Sequence, residues 1–174
     1  MKNLLYIVIL CVLVSCNAVR VNYDYDKGTD FSNYTTYNYF EDMQSGLSQL
    51  DEKRLLNILD STLQSKGYLL SEEPEFLINI KSAVFQSNSG NNVGVGVGGG
   101  GRNVGGGLSI GIPVGNSGVQ RQILFDFVDA SKNALFWQAD TESSFKENTT
   151  PLYREEQLKN IVKKAFSKYP PDLK

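Results

Sequence analysis

Histidine is absent from all 174 residues, and cysteine occurs only twice, methionine twice and tryptophan once. Histidine is the usual general base near neutral pH and the commonest transition-metal ligand. Its absence removes serine–histidine–aspartate triads, cysteine–histidine pairs and ordinary zinc sites from consideration. An enzyme built from this chain would have to work with carboxylates, lysine or tyrosine alone. Neither sign of charge is in large excess: 17 basic against 19 acidic side chains give −2. Nucleic acid is therefore not an expected partner, and no polybasic patch addresses anionic lipid. Nor is there an apolar run of the ~20 residues that a membrane-spanning helix requires.

The longest apolar run is residues 4–14, between Lys2 and the pair Ser15-Cys16. A short positive start, an apolar stretch and a small residue before a cut make a secretory signal. Leu13-Val14-Ser15-Cys16 further matches the bacterial lipobox of aliphatic, tolerant, small and cysteine. In that chemistry the Cys16 thiol takes a diacylglyceryl group, and Ser15 lets the peptidase cut just before it. The expected organisation is a signal peptide over 1–15, a lipidated N-terminus over 16–18 and one domain over 19–174. Asn17, rather than an aspartate, follows the cysteine. That favours the outer membrane, with the domain on its periplasmic face. Cys11 leaves with the signal and Cys16 is acylated, so the mature chain keeps no free thiol.

Removing residues 1–15 leaves 159, enough for one domain with a real core. Val19, Val21, Tyr23 and Tyr25 alternate with polar residues, predicting a strand directly after the anchor. A second strand follows Phe31-Ser32-Asn33-Tyr34, with Tyr37 and Tyr39 on one face. Ser48 to Lys66 reads as a helix: Ser48 caps it, Asp51 and Glu52 sit in its first turn, and Leu55, Leu59 and Leu63 repeat every four residues. Gly67 is placed to end it. After Pro74 a third strand puts Phe76, Ile78, Ile80 and Val84 on one face.

Residues 88–118 hold 13 of the 16 glycines. They read as a glycine-rich loop or hairpin insertion, whose alternating Val93, Val95 and Val97 could pair with Leu108, Ile110 and Ile112 or with a protein partner. Beyond lie strands from Gln122 to Val128 and from Leu135 to Phe145, the latter carrying Trp137. Thr150 and Pro151 then open a helix whose stripe includes Leu158, Ile161, Val162, Ala165 and Phe166. The expected fold is α+β: an antiparallel sheet with two amphipathic helices packed on one face.

No constellation amounts to an active site, and no catalytic, cofactor or metal residue is assigned. Gly94 to Gly99 spells G-x-G-x-x-G, but more glycine follows where a dinucleotide site needs a helix N-terminus. Asp24, Asp26 and Asp30 around Gly28 miss the calcium-loop frame, since glycine falls at position 5 and Thr35 at position 12. Asp126, Asp140 and Glu142 are the candidates for a carboxylate-dependent hydrolase, with Asp126 and Asp140 facing across a hairpin. Tyr23, Tyr25, Tyr34, Tyr37 and Tyr39 are the candidates for an aromatic groove that carries lipid or glycan, although sheet packing explains them more simply.

Three stretches together resemble the bacterial lipoproteins carrying domain of unknown function 4136. The first is Val21-Asn22-Tyr23-Asp24-Tyr25 with Asp30 to Tyr37. The second is Leu124 to Ala130 continuing through Phe136-Trp137-Gln138-Ala139, and the third is the closing Phe166 to Pro171. Tyr39-Phe40 stands where members often have tryptophan, and the glycine tract is expanded. The resemblance implies an envelope lipoprotein with a small α+β domain and no catalytic residues to carry over. The resulting expectation is a non-enzymatic binding or accessory module, held to the membrane by its lipid and needing no cofactor.

Overall fold

The computed structural model describes residues 19–86 and 118–172. The anchor residues Leu13, Val14, Ser15 and Cys16 lie outside these, as does the glycine tract apart from Gly118. Strand β1 is Arg20–Tyr25 and β2 is Thr36–Tyr39. Helix α1, Gln49–Ser65, leads to the two-residue β3, Leu69–Leu70, and the long β4, Phe76–Gln86. Then come β5, Val119–Asp129, β6, Ala134–Ser144, and helix α2, Pro151–Ala165. The fold is α+β: among the described residues there is one six-stranded sheet ordered β1-β6-β5-β4-β2-β3, with two α-helices.

Pairing is antiparallel through β1, β6, β5 and β4, then parallel from β4 to β2 and from β2 to β3. The parallel edge has a simple cause. Between β2 and β4 the chain passes through α1, and only a long connection of that kind can return a strand in the same direction. The short β3 is a by-product of that return, held by the Leu69 amide donating to the Thr35 carbonyl at 2.9 Å.

Local chemistry sets the helix ends. The Ser48 hydroxyl accepts from the Asp51 amide at 3.3 Å, and the Thr150 hydroxyl accepts from Tyr153 at the same distance. Each satisfies one of the amides that a helix start leaves unpaired. Pro151 occupies the first turn of α2, and Gly67, at φ +93°, lets the chain leave α1.

Buried side chains alternate along the strands, placing Phe76, Ile78, Ile80, Ile123, Phe125 and Phe127 on the helix side. Leu55, Leu59 and Leu63 of α1 and Leu158, Ile161 and Val162 of α2 close over them. Val84 departs from expectation. It shares the core-facing side of β4 yet is 51% exposed, because the strand outruns the helices. In β6 a register shift beside Phe127 and Val128 buries both Phe136 and Trp137, two neighbours that strict alternation would separate. Phe136 stacks on Tyr34 with centroids 4.1 Å apart and planes within 2°.

Candidate functional site

The sheet end carrying the β5–β6 turn holds a polar cleft of about 550 Å³, lined by Asp26, Asp30, Tyr34, Glu75, Asp129 and Lys132 among others. Asp129 terminates β5 and caps its own turn. Its Oδ1 accepts from the Ser131 amide at 2.9 Å, the Ser131 hydroxyl at 2.7 Å and the Lys132 amide at 2.8 Å. Its Oδ2 accepts from the Tyr34 phenol at 2.8 Å, with Lys132 Nζ at 3.2 Å. The Ser131 hydroxyl leads the donors that hold this carboxyl well below the usual range. Tyr34 moves the other way, up to about 12, through burial first and Asp129 second.

Two other acids of the cleft, Glu75 and Asp30, are committed in the same manner. Glu75 accepts from the Thr35 amide, from the Thr35 hydroxyl at 3.0 Å and from the Thr36 amide at 3.0 Å, which fastens β2 to the start of β4. Those backbone donors lower its pKa. Asp30 takes the hydroxyl of Ser32 at 2.6 Å and its amide at 3.0 Å, with the same effect. A general acid or base works best with a pKa near the operating pH. These three carboxyls are displaced away from it, and their oxygens accept from donors of the fold itself.

Asp126, Asp140 and Glu142 all point to the sheet face away from the helices, but the expected encounter of Asp126 with Asp140 is corrected by register. Asp126 lies opposite Gln138, and Asp140 lies opposite Leu124, one diagonal step away. Each acid is held by an amide: Gln138 Nε2 donates to Asp126 at 2.7 Å, and Gln122 Nε2 donates to both oxygens of Asp140 at 2.8 and 2.9 Å.

The five tyrosines are spread over separate packing contacts rather than one shared groove, and three of them join the sheet to the helices. Tyr37 and Tyr39 both donate to Oδ1 of Asp60 in α1, at 2.8 and 2.7 Å, and burial pushes both phenols up. The Tyr23 phenol reaches the Lys164 carbonyl at 2.6 Å. Tyr25 meets Phe31 edge-on, and Tyr34 belongs to the stack with Phe136.

Two further features are not anticipated by the sequence. Asp51, 1% exposed, gathers three arginines: Arg54 and Arg154 at 2.9 Å each and Arg121 at 3.6 Å. Burial lowers the Arg121 pKa, with Asp51 opposing the shift. Only the Asp51–Arg54 spacing of three is legible as a helical pair; Arg121 and Arg154 come from distant elements. The second is a cleft of about 700 Å³ between α1 and α2, with Ile58 and Phe166 among its lining and Arg54, Lys66, Lys159 and Lys163 around it. Among the described residues no group of three or more acids, histidines or cysteines is placed to hold a metal ion. Among the same residues no helix is long and apolar enough to cross a membrane.

These features define a one-sheet α+β domain whose candidate acids serve as hydrogen-bond acceptors within the fold. The chain belongs to the family of domain of unknown function DUF4136, whose model matches residues 21–171. No curated protein matches it. Among solved structures it is similar to a PDZ domain protein from Parabacteroides distasonis, with a TM-score of 0.55 and 16% identity over 88% of this chain. The chain spans only 35% of that protein's length, and the likeness concerns the fold alone. The PelC dodecamer from Paraburkholderia phytofirmans is also similar, with a TM-score of 0.47 and 11% identity over 86% of this chain and 96% of that one.

Proposed function

We propose that this chain is a lipid-anchored module of the cell envelope, standing on the periplasmic face of the outer membrane, that acts by binding rather than by catalysis. The observation that carries the reading is the adjacency of lipobox and fold: β1 begins at Arg20, four residues beyond Cys16. A thiol at that position is poised for acylation, and several acyl chains give an anchor where one binds only marginally. The absence of histidine and of any other mature cysteine supports a binding role, as does the commitment of Asp129, Glu75, Asp126 and Asp140 to partners within the fold. Metabolic labelling with palmitate tests the anchor. Label is expected on the wild-type chain and lost in Cys16→Ala; label retained by that variant refutes it.

The cleft between α1 and α2 favours a second reading, carriage of a lipid or acidic glycan. Its cations suit an anionic head and its Ile58–Phe166 floor an apolar body. A native mass spectrum of protein purified from membranes should then show a co-isolated ligand, and a bare mass would count against carriage.

A further inference from the structure

Among the described residues, five large apolar side chains are exposed at one end of the domain, the end at which the chain enters the fold. Topology gathers them. Arg20, the first residue of β1, pairs with Glu142 near the end of β6, and Gln86, the last of β4, pairs with Val119, the first of β5. The Ser82 amide donates to the Ser45 carbonyl at 2.7 Å, which brings the start of α1 to the same end. Arg154 on Asp51, at 2.9 Å, brings the start of α2 there too. Leu50 and Leu152, each the second residue of its helix, are 66% and 76% exposed. Val84, Phe85 and Val119 at the adjoining strand ends are also exposed.

We infer that this end is a bilayer-seating surface, with Leu50 and Leu152 entering the lipid interface beside the acylated Cys16. The inference rests on the lipid anchor proposed above and adds the orientation of the domain. Its occupant follows from where the described chain ends. Arg20 lies four positions beyond Cys16, a distance of at most about 14 Å when extended. An acylated Cys16 therefore holds the bilayer surface close to this end and to no other. Leu50 and Leu152 stand in the first turns of both helices at the end the anchor reaches, where apolar side chains can enter a lipid interface. Interfacial insertion of apolar side chains reaches about 5–10 Å into the headgroup region. Neutral lipid suffices for such contacts, and salt does not screen them.

The opposite end supplies its own controls. Leu69 and Leu135 are 63% and 51% exposed and lie about 30 Å away along the strands. Because Cys16 carries the lipid and no other mature cysteine exists, Leu50→Cys, Leu152→Cys, Leu69→Cys and Leu135→Cys can each be labelled singly with a fluorophore. The full lipidated chain is placed in phosphatidylcholine vesicles that carry nitroxide lipids. Probes at 50 and 152 are expected to be quenched about threefold more than probes at 69 and 135, in low and high salt alike. Protein that floats with the vesicles but quenches equally at all four positions overturns the seating and leaves the anchor intact. So does protection of 50 and 152 from both lipid and aqueous quenchers, the mark of cover by the glycine tract or a second copy. Protein that fails to float overturns the anchor and the seating together.

Discussion

The Tyr34 phenol donates a 2.8 Å hydrogen bond to Oδ2 of Asp129, closing a contact between residues 95 positions apart. It binds the segment ahead of β2 to the β5–β6 turn, two parts of the sheet that share no ladder. Since the donors around Asp129 hold its carboxyl low, its charged form stabilises the fold above the ordinary carboxylate range, and that contribution is lost as pH falls below it. Asp129→Asn should cost about 1–3 kcal/mol at pH 7. Urea midpoints measured across pH should show the gap from wild type holding down to about pH 4 and narrowing below it. A gap that does not change between pH 7 and pH 2 would contradict this role.

Asp51 is the negative centre of a cluster in which three guanidinium groups meet. Removing it leaves Arg54, Arg121 and Arg154 together without a counter-charge, and Asp51→Ala should lose about 3–5 kcal/mol of stability. The remedy is to remove charge of the other sign. Arg121→Met should cost less in the Asp51→Ala background than in the wild type, as a double-mutant cycle in urea would register. Strict additivity would show that Asp51 and Arg121 are not coupled.

Gly46 and Gly67 both have positive φ, +71° and +93°, but only one of them is crowded. A Cβ on Gly46 would stand 2.7 Å from the Ser82 carbonyl oxygen, whereas one on Gly67 would meet nothing within 4 Å. Gly67→Ala should therefore cost only the left-handed backbone penalty of about 1–2 kcal/mol. Gly46→Ala adds a backbone collision at the join of α1 and β4 and should cost more. Thermal melts of the two variants give the order, and a reversed order would refute the explanation.

Trp137 is the chain's one tryptophan, 1% exposed between Phe127 and Tyr169, each 4.8 Å away between ring centroids. Its emission should be blue-shifted and insensitive to iodide in the folded protein. On denaturation it should shift red in step with the loss of far-ultraviolet circular dichroism, as two-state unfolding requires. A native spectrum resembling free indole in water would show the core to be assembled otherwise.

The parts legible in the sequence are those whose physics is local. Ser48 and Thr150 announce helix starts because a cap acts within three residues, and the Leu55, Leu59 and Leu63 stripe declares its own buried face. Alternation along Ile123, Phe125 and Phe127 is equally self-contained. What escaped depends on pairing at a distance. Leu69-Leu70 is too short to carry a period, and the parallel edge of β2 follows from where α1 returns the chain. Asp51 reads as an ordinary first-turn acid until Arg121 and Arg154 arrive from β5 and α2. The separation of Asp126 from Asp140 is set by the register of the β5–β6 hairpin, which two residues of slippage would alter. Strict alternation would set the neighbours Phe136 and Trp137 on opposite faces, and the register shift in β6 buries both.

The Gln86–Val119 pair has a consequence for how this chain can change its length. It brings the two borders of the intervening segment to a single rung of an antiparallel ladder. A segment bordered in this way behaves like an exchangeable cassette: lengthening or replacing it leaves the register of β4 and β5 untouched. The entropy of closing such a loop rises only by about 0.6 kcal/mol for each doubling of its length. A change of length between Gln86 and Val119 is therefore expected to cost the sheet little, because it begins and ends on this one rung.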